Sequence, residues 1–159
     1  MRFLVAPGEE QLERARPTVR WFLVFATALV AALAVQRALA GGLLPDGVRA
    51  HYLGVDGAEP LAPVALWEEL HVNAFLYGFL LLMLGSLHAV TPMSPRVRAL
   101  LLAGAGAAAL ADLFAPFVVV AAPGLGALRV ATFAATLALL LVGIAVAFAR
   151  FGRPVKIGV

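Results

Sequence analysis

The sequence has 159 residues, of which 63% are hydrophobic and 13% are charged, and its formal net charge is +3. Soluble globular chains hold about 45–50% apolar and about 25% charged residues, so this composition excludes a water-soluble fold and indicates a membrane protein. The absence of cysteine excludes disulfides, thiolate metal sites and iron–sulfur clusters. The basic residues flank the apolar segments, so they indicate membrane orientation and we expect no nucleic-acid partner.

The chain begins with an amphipathic arm of mixed charge, residues 1–20, which we expect to lie in the cytoplasm. The arm lacks the short basic segment of a secretory signal peptide, so we expect the first apolar segment to be retained. A transmembrane helix needs about 20 mostly apolar residues. Stretches of this length predict a transmembrane domain over residues 21–150, with four spans at about 21–40, 66–90, 99–121 and 125–149.

The connections between the predicted spans differ greatly in length. The long outer loop 41–65, with several prolines and glycines, separates the first two spans. The third and fourth spans are joined by a turn so short that their helices must be antiparallel neighbours, and a basic tail at 151–159 follows the fourth span. The sequence therefore predicts an all-α fold, an integral membrane four-helix bundle with up-down-up-down topology in contact with the lipid bilayer.

Lysine and arginine predict the orientation of the bundle, because short loops rich in these residues stay in the cytoplasm. Three arginines fall on the side of the long loop, namely Arg37, Arg49 and Arg129. Nine basic residues fall on the opposite side: Arg2, Arg14, Arg16, Arg20, Arg96, Arg98, Arg150, Arg153 and Lys156. This bias predicts a multi-pass protein of the cell (inner) membrane with both termini cytoplasmic.

The faces by which the spans meet are predicted from small and polar residues, since lipid gives apolar side chains no reason to associate. In the second span the predicted contact face runs through Glu68, His71 and Phe75. Small residues line up with Asp112 in the third span and with Arg129 in the fourth. We therefore expect three small-and-polar faces to meet in a compact bundle.

Polar side chains are predicted to converge in the outer half of this bundle around Asp112. A charge near the bilayer centre costs at least about 2.5–3.5 kcal/mol, so Asp112 requires a partner. Pro116 has no N–H, which frees the carbonyl oxygen of Asp112 as a second acceptor. Two interpretations stay open. One is a structural cluster built on an Asp112–Arg129 ion pair with Arg37 and Gln36, and the other is a proton, cation or cofactor site.

A metal site is the most specific form of the second interpretation. Glu68 and His71 have the Glu-x-x-His spacing that supplies two ligands from one helix in di-iron bundles, but the pattern occurs once, so we expect no di-metal centre. A single divalent metal held by Glu68, His71 and Asp112 fits the chemistry of these ligands. The alternative for His71 is an interfacial histidine that only forms hydrogen bonds. We expect Glu69 at the lipid–water boundary.

A second face of the same span carries Asn73, Tyr77 and His88. The Tyr77 hydroxyl lies deep in the bilayer and needs a partner on a neighbouring helix or in a second subunit. His88 lies about 25 Å along the helix from His71, so the two cannot bind one metal. The third and fourth spans contain no histidine, so we do not expect a bis-histidine dihaem cytochrome.

One run of residues in the second span carries a family resemblance: Glu69-Leu70-His71-Val72-Asn73-Ala74-Phe75, Tyr77-Gly78-Phe79, Gly85 and Thr91-Pro92. These residues resemble the second helix of the catalytic subunit of haem–copper oxidases and nitric oxide reductases. In that family an amphipathic arm precedes the first helix, and a histidine near the outer end of helix two binds the low-spin haem. The resemblance implies a small four-helix relative in which His71 binds haem b with a ligand from the loop or a partner, or in which haem has been lost.

Three functions stay open from the sequence. The first is a haem- or metal-binding redox or accessory subunit that uses His71. The second is a purely structural accessory subunit in which the polar cluster fastens the bundle. The third is a proton- or ion-linked transport component that uses Asp112 and Glu68 and works as a homo-oligomer or in a larger membrane complex. We do not expect an enzyme acting alone, because the sequence has no Gly-rich phosphate loop and no nucleophile elbow.

Overall fold

The computed structural model describes residues 9–54, 59–91 and 93–151. Within these ranges the chain is helical and contains no strand. The five helices are α1 (Glu9–Leu39), α2 (Pro45–Leu53), α3 (Pro63–Val90), α4 (Pro95–Ala121) and α5 (Gly126–Phe151), and a single 3₁₀ turn at Pro123–Leu125 leads into α5. The first residues of the predicted arm and the predicted basic tail after position 151 lie outside the described residues.

Four helices are long and apolar enough to cross a membrane, which confirms the predicted all-α fold with four spans. Their spanning segments are Arg14–Leu39, Pro63–Val90, Pro95–Ala121 and Pro123–Ala149. Each segment starts before the predicted position, and α1 continues into the arm without a break. Hydropathy detects only the part of a helix that lies in hydrocarbon, so it cannot detect helical turns that extend into water.

The loop predicted at 41–65 contains the short helix α2, which hydropathy did not predict. Val48 and Tyr52 of α2 are buried against Leu66 of α3 and Val119 of α4. A close approach between backbones requires glycine here, because a Cβ on Gly126 would stand 2.7 Å from the Pro45 carbonyl oxygen. We call this end of the bundle, where α1 ends, α2 lies and α3 begins, the loop end.

The core of the bundle is built by α1 and α3 packing against α4 and α5 rather than against each other. α1 packs on α5, α3 packs on α4 and α5, and α4 and α5 form the most extensive helix pair. α1 and α3 meet through long side chains such as Phe22 and Phe79, whose ring centroids are 6.5 Å apart. This arrangement leaves space between α1 and α3 at the loop end.

The small-residue faces predicted for the third and fourth spans are confirmed, and the face predicted for the second span is wrong. Ala105 and Ala115 of α4 and Gly143 of α5 are buried. On α3, however, Glu68 and Phe75 are exposed and the buried face carries Tyr77 instead. α3 carries apolar residues on every side and polar residues on two faces, so helical periodicity does not distinguish the side that meets protein from the side that meets lipid.

Candidate functional site

A network of polar and charged side chains at the loop end connects all five helices. Its members, which we call the buried network, are Arg37 of α1, Tyr52 of α2, Glu69 and Tyr77 of α3, Asp112 of α4, and Arg129 and Thr132 of α5. Two arginines face two carboxylates, so the network is electrically balanced. Buried charges of this kind persist when they are paired and hydrogen-bonded.

One half of the buried network surrounds Asp112, which is 0% exposed. Arg129 donates from Nη1 to the Asp112 carboxylate and to its carbonyl oxygen, the latter at 2.8 Å. The hydroxyl of Tyr77 donates to Asp112 Oδ2 at 2.8 Å, and the hydroxyl of Thr132 lies 3.3 Å from Oδ1. The carbonyl that Pro116 frees from its helical bond therefore has a partner, and both carboxylate oxygens accept hydrogen bonds.

The other half of the buried network surrounds Glu69. Its Oε1 accepts hydrogen bonds from Arg37 Nη2 at 2.8 Å and from Arg129 Nη2 at 3.0 Å. The Tyr52 hydroxyl lies 2.8 and 2.9 Å from the two Glu69 oxygens and accepts from Arg37 Nη1 at 2.9 Å. Arg129 thus binds two carboxylates, one through each terminal nitrogen, which the planar fork of a guanidinium allows.

Two titratable groups of α2 lie outside the membrane spans: Tyr52, which belongs to the buried network, and His51 beside it. Burial raises the pKa of the Tyr52 phenol, so at neutral pH it keeps the proton that it donates to Glu69. Burial also lowers the pKa of His51 below its ordinary value, an effect that Glu69 opposes and the nearby arginines reinforce. His51 is therefore neutral at pH 7.

A cavity of about 310 Å³ lies at the loop end, in the space between α1 and α3. Its apolar wall includes Leu33, Leu61, Val72 and Phe133. Its polar lining residues are Gln36, Arg37, His51, Glu68, Glu69, Asn73 and Tyr77. The half of the buried network around Glu69 thus forms part of the cavity wall, and the side chain of Glu69 is 20% exposed.

The predicted metal ligands are not brought together. Glu68 and His71 are exposed on α3, whereas Asp112 is buried and bonded to Arg129 and Tyr77. In the part of the chain that the structure describes, no group of three histidine, aspartate or glutamate residues is arranged to hold a metal ion. Glu68 and His71 lie apart from Asp112 for the same reason that the predicted contact face of α3 is wrong, because the helical spacing was taken to place both residues on the buried side of α3.

The members of the predicted structural cluster lie close together, with one exception. Asp112, Arg129 and Arg37 belong to the buried network, and the Asp112–Arg129 ion pair of the structural interpretation is present. Gln36 is exposed and lines the cavity without joining the network. The sequence thus predicted that the charges of three helices lie in the same half of the bundle.

The second face predicted for α3, with Asn73, Tyr77 and His88, is the face that turns into the bundle. Tyr77 belongs to the buried network and Asn73, which is partly buried, lines the cavity. His88 lies near the opposite end of α3 and is 1% exposed, and neither ring nitrogen has a hydrogen-bond partner among the described residues. The Tyr77 hydroxyl therefore has its hydrogen-bond partner within the chain and does not need one in a second subunit.

Two members of the buried network differ from the sequence-based expectation, because Tyr52 was not predicted and Glu69, one of the polar residues near the outer half of the bundle, was assigned to a different surface. Glu69 was expected at the lipid–water boundary, but it lies inside the bundle and bonds two arginines. A signal for this existed, because Glu69, Asn73 and Tyr77 follow one another at four-residue intervals and share a face. Tyr52 carried no such signal, since it lies on a short helix in a segment that was interpreted as loop.

A comparison of the sequence with known proteins gives one family match. Residues 42–156 match the sequence model of Aq_1264_TM, a transmembrane helical domain. No curated protein and no solved structure gives a significant match. The matched segment begins after α1 and includes α2, α3, α4 and α5, so it contains every member of the buried network except Arg37.

Proposed function

We propose that this chain, which belongs to the Aq_1264_TM family of transmembrane helical domains, binds a small amphipathic ligand in the cavity between α1 and α3. The chain is a small multi-pass membrane protein in contact with the lipid bilayer. The observation that supports ligand binding is the cavity itself, about 310 Å³ of space with charged groups on its wall. Pockets that combine an apolar lining with a few placed polar groups are the usual form of small-molecule sites.

The size of the cavity limits the part of a ligand that it holds. Liquid water occupies about 30 Å³ per molecule, so the space is equivalent to about ten waters. A polar headgroup or a small ring system fits such a volume, whereas a complete phospholipid does not. The ligand that we propose therefore places its polar part in the cavity and its apolar part outside.

The position of the cavity supports access from the membrane. It lies between the two spans that meet only through side chains, at the depth of the last turns of α1 and the first turns of α3. Apolar residues such as Leu33 and Val72 line it beside the polar groups. An amphipathic molecule could enter sideways between α1 and α3 and keep its chain in lipid.

Co-purification tests this proposal. Ala65 lines the cavity, so Ala65→Phe should fill it, whereas Ala74 is exposed on another face of the same helix and Ala74→Phe serves as the matched control. Native mass spectrometry of protein extracted in mild detergent should show a small bound molecule on the wild type and on Ala74→Phe and should show its loss from Ala65→Phe. Equal bound mass on all three proteins would reject the cavity as the binding site.

Haem binding through His71 is a second candidate, and the exposure of this residue near the loop end favours it. The resemblance of the first two helices to haem–copper oxidases and nitric oxide reductases assigns the ligand role to this histidine. An exposed imidazole on α3 would bind haem together with a ligand from a partner subunit or a second copy of the chain. A haem absorbance band in the purified protein that His71→Ala abolishes would support this candidate, and colourless protein from haem-replete cells would reject it.

A further inference from the structure

We infer that the polar part of the ligand is a cation, an ammonium group carried by an amphipathic molecule. This inference rests on the proposed function and adds the chemical class of the ligand. The class of ligand follows from the exposure of the charged side chains around the cavity, because the carboxylates are more exposed than the guanidinium groups.

The positive charges near the cavity are the less accessible ones. Arg37 is 9% exposed, and its two terminal nitrogens donate to Tyr52 and Glu69 while its guanidinium lies 5.3 Å from the centre of the Phe133 ring. Arg129 is 1% exposed and binds two carboxylates. Neither guanidinium is presented to a ligand as an open anion site.

The negative charges are the accessible ones. The side chain of Glu69 is 20% exposed, and Glu68 is exposed one position before it on the same cavity wall. The lining thus holds two glutamates and one arginine, with His51 neutral at pH 7 because burial lowers its pKa. The net charge of the lining is negative by one. A cation is therefore attracted to the cavity and an anion is repelled.

The unused hydrogen-bonding positions at the wall also favour a donor. Among the described residues, only the Tyr52 hydroxyl lies within hydrogen-bond distance of Glu69 Oε2, whereas Oε1 accepts hydrogen bonds from both arginines. Lone pairs on Oε2 therefore remain, and the side-chain amides of Gln36 and Asn73 on the same lining can accept as well as donate. An ammonium group offers three N–H donors to such a set and no acceptor.

Two kinds of amphipathic molecule carry such an ammonium group. One is the ethanolamine headgroup of a membrane phospholipid, whose acyl chains would stay in the bilayer between α1 and α3. The other is a free alkylamine that partitions into the membrane. Both place an ammonium on the Glu68–Glu69 side of the cavity and methylene groups along Leu33 and Val72.

The test compares three probes of equal chain length and different charge: octylammonium, octanol and octanoate. Binding is measured by calorimetry on the full chain in nanodiscs of phosphatidylcholine. We expect octylammonium to bind at least about tenfold tighter than the other two, from the attraction of one net charge at close range. Ala65→Phe should abolish this binding, and Ala74→Phe should leave it unchanged.

Glu68→Gln changes the charge of the cavity while keeping its shape, and Glu68 is not a member of the buried network. It removes one exposed carboxylate, so octylammonium should bind about two- to fivefold more weakly while octanol binds as before. Glu59 is exposed and does not line the cavity, so Glu59→Gln is the matched control and should change neither affinity. Unchanged octylammonium affinity in Glu68→Gln would overturn the inference.

The outcomes distinguish this inference from the proposed function. Equal affinities for the three probes, all lost in Ala65→Phe, would keep the cavity as a binding site and overturn its charge preference. No binding of any probe would reject both. If phosphatidylethanolamine added to the nanodiscs raises the apparent Kd for octylammonium, the source is the lipid headgroup. If it does not, while octylammonium still binds preferentially, the source is a free amine.

Discussion

Arg129 connects the two carboxylates of the buried network, and this explains why the position needs arginine. Its Nη1 binds Asp112 and its Nη2 binds Glu69, so one side chain of α5 joins α3 to α4. The ammonium of lysine is a compact charge on a flexible stem and cannot reproduce this fixed fork. Removal of Arg129 would leave the buried charge of Asp112 without the cation that compensates it, whereas Glu69 would keep Arg37.

At the residue scale we predict that Arg129→Gln destabilises the protein by about 3–5 kcal/mol, since Asp112 would be left charged and buried. Arg129→Lys keeps the charge and should cost less, about 1–3 kcal/mol, through lost hydrogen bonds. The free energy of unfolding is measured by titration with sodium dodecyl sulfate. The double variant Asp112→Asn, Arg129→Gln is the control and should be more stable than Arg129→Gln alone. Strictly additive losses would contradict the ion pair.

His51 provides a pH-dependent prediction outside the membrane spans. Its folded-state pKa is lowered by burial, so in the unfolded state it binds its proton at higher pH, near about 6.5. The contribution of His51 to stability is therefore present at neutral pH and is lost as the pH falls below about 6.5 toward the folded-state pKa. NMR titration of the three histidine rings should show His51 titrating below its ordinary value, with the signal assigned by its loss in His51→Gln. A pKa at or above 6.5 would contradict the burial of this ring.

At the scale of helices, α1 differs from the other spans. It precedes the segment that matches the family, and it packs on α5 and meets α3 through long side chains. Arg37 is the residue that ties its last turn to α2 and α3, by bonds to Tyr52 and Glu69. Arg37 therefore helps to hold the end of α1 beside the cavity, in addition to the packing of α1 on α5.

We predict that Arg37→Gln loosens the loop end of α1 without unfolding the bundle. Amide hydrogen exchange should increase in the last turns of α1 and in α2, which lose their shared partner, and should stay slow in α4. Arg49 provides the matched control, because it is exposed and its nearest carboxylate, Asp46, lies 3.9 Å away. Arg49→Gln should leave exchange unchanged, and equal effects of the two variants would refute the special role of Arg37.

The sequence predicted the helices better than it predicted their faces. The length of the apolar stretches identified the four spans, because a transmembrane helix must be long enough to cross about 30 Å of hydrocarbon. It could not orient α3, because the lipid-facing side of a membrane helix is as apolar as its packed side. Asp112 and Arg129 were recognised because a charge in hydrocarbon requires a partner. Glu69 was assigned to the lipid–water boundary because the rotation of α3 was predicted wrongly. The resemblance of this helix to oxidase subunits stays a prediction.

At the scale of the whole molecule, the distribution of basic residues predicts the direction in which the cavity faces. The bias of nine against three predicts both termini in the cytoplasm and the loop end on the outside. The cavity lies at the loop end, so this orientation would open it to the outer leaflet of the inner membrane. A ligand would then arrive from that leaflet or from the outer aqueous side.

Single-cysteine labelling tests this orientation on a sequence that contains no cysteine of its own. Leu44 is exposed at the loop end and Ser94 is exposed at the turn between α3 and α4. A membrane-impermeant maleimide should label Leu44→Cys in intact cells and Ser94→Cys only after permeabilisation. The reverse pattern would show that the bundle has the opposite orientation, with the cavity on the cytoplasmic side.

Ligand binding as proposed depends on a cavity of about 310 Å³ with accessible negative charge between α1 and α3. The most direct measurement is the reaction rate of Ala65→Cys with a cationic and an anionic methanethiosulfonate of similar size, with exposed Leu44→Cys as the reference. We predict that Ala65→Cys reacts with both reagents and that its ratio of cationic to anionic rate exceeds the reference ratio on the order of tenfold. An unreactive Ala65→Cys, or a ratio equal to that of Leu44→Cys, would contradict the account.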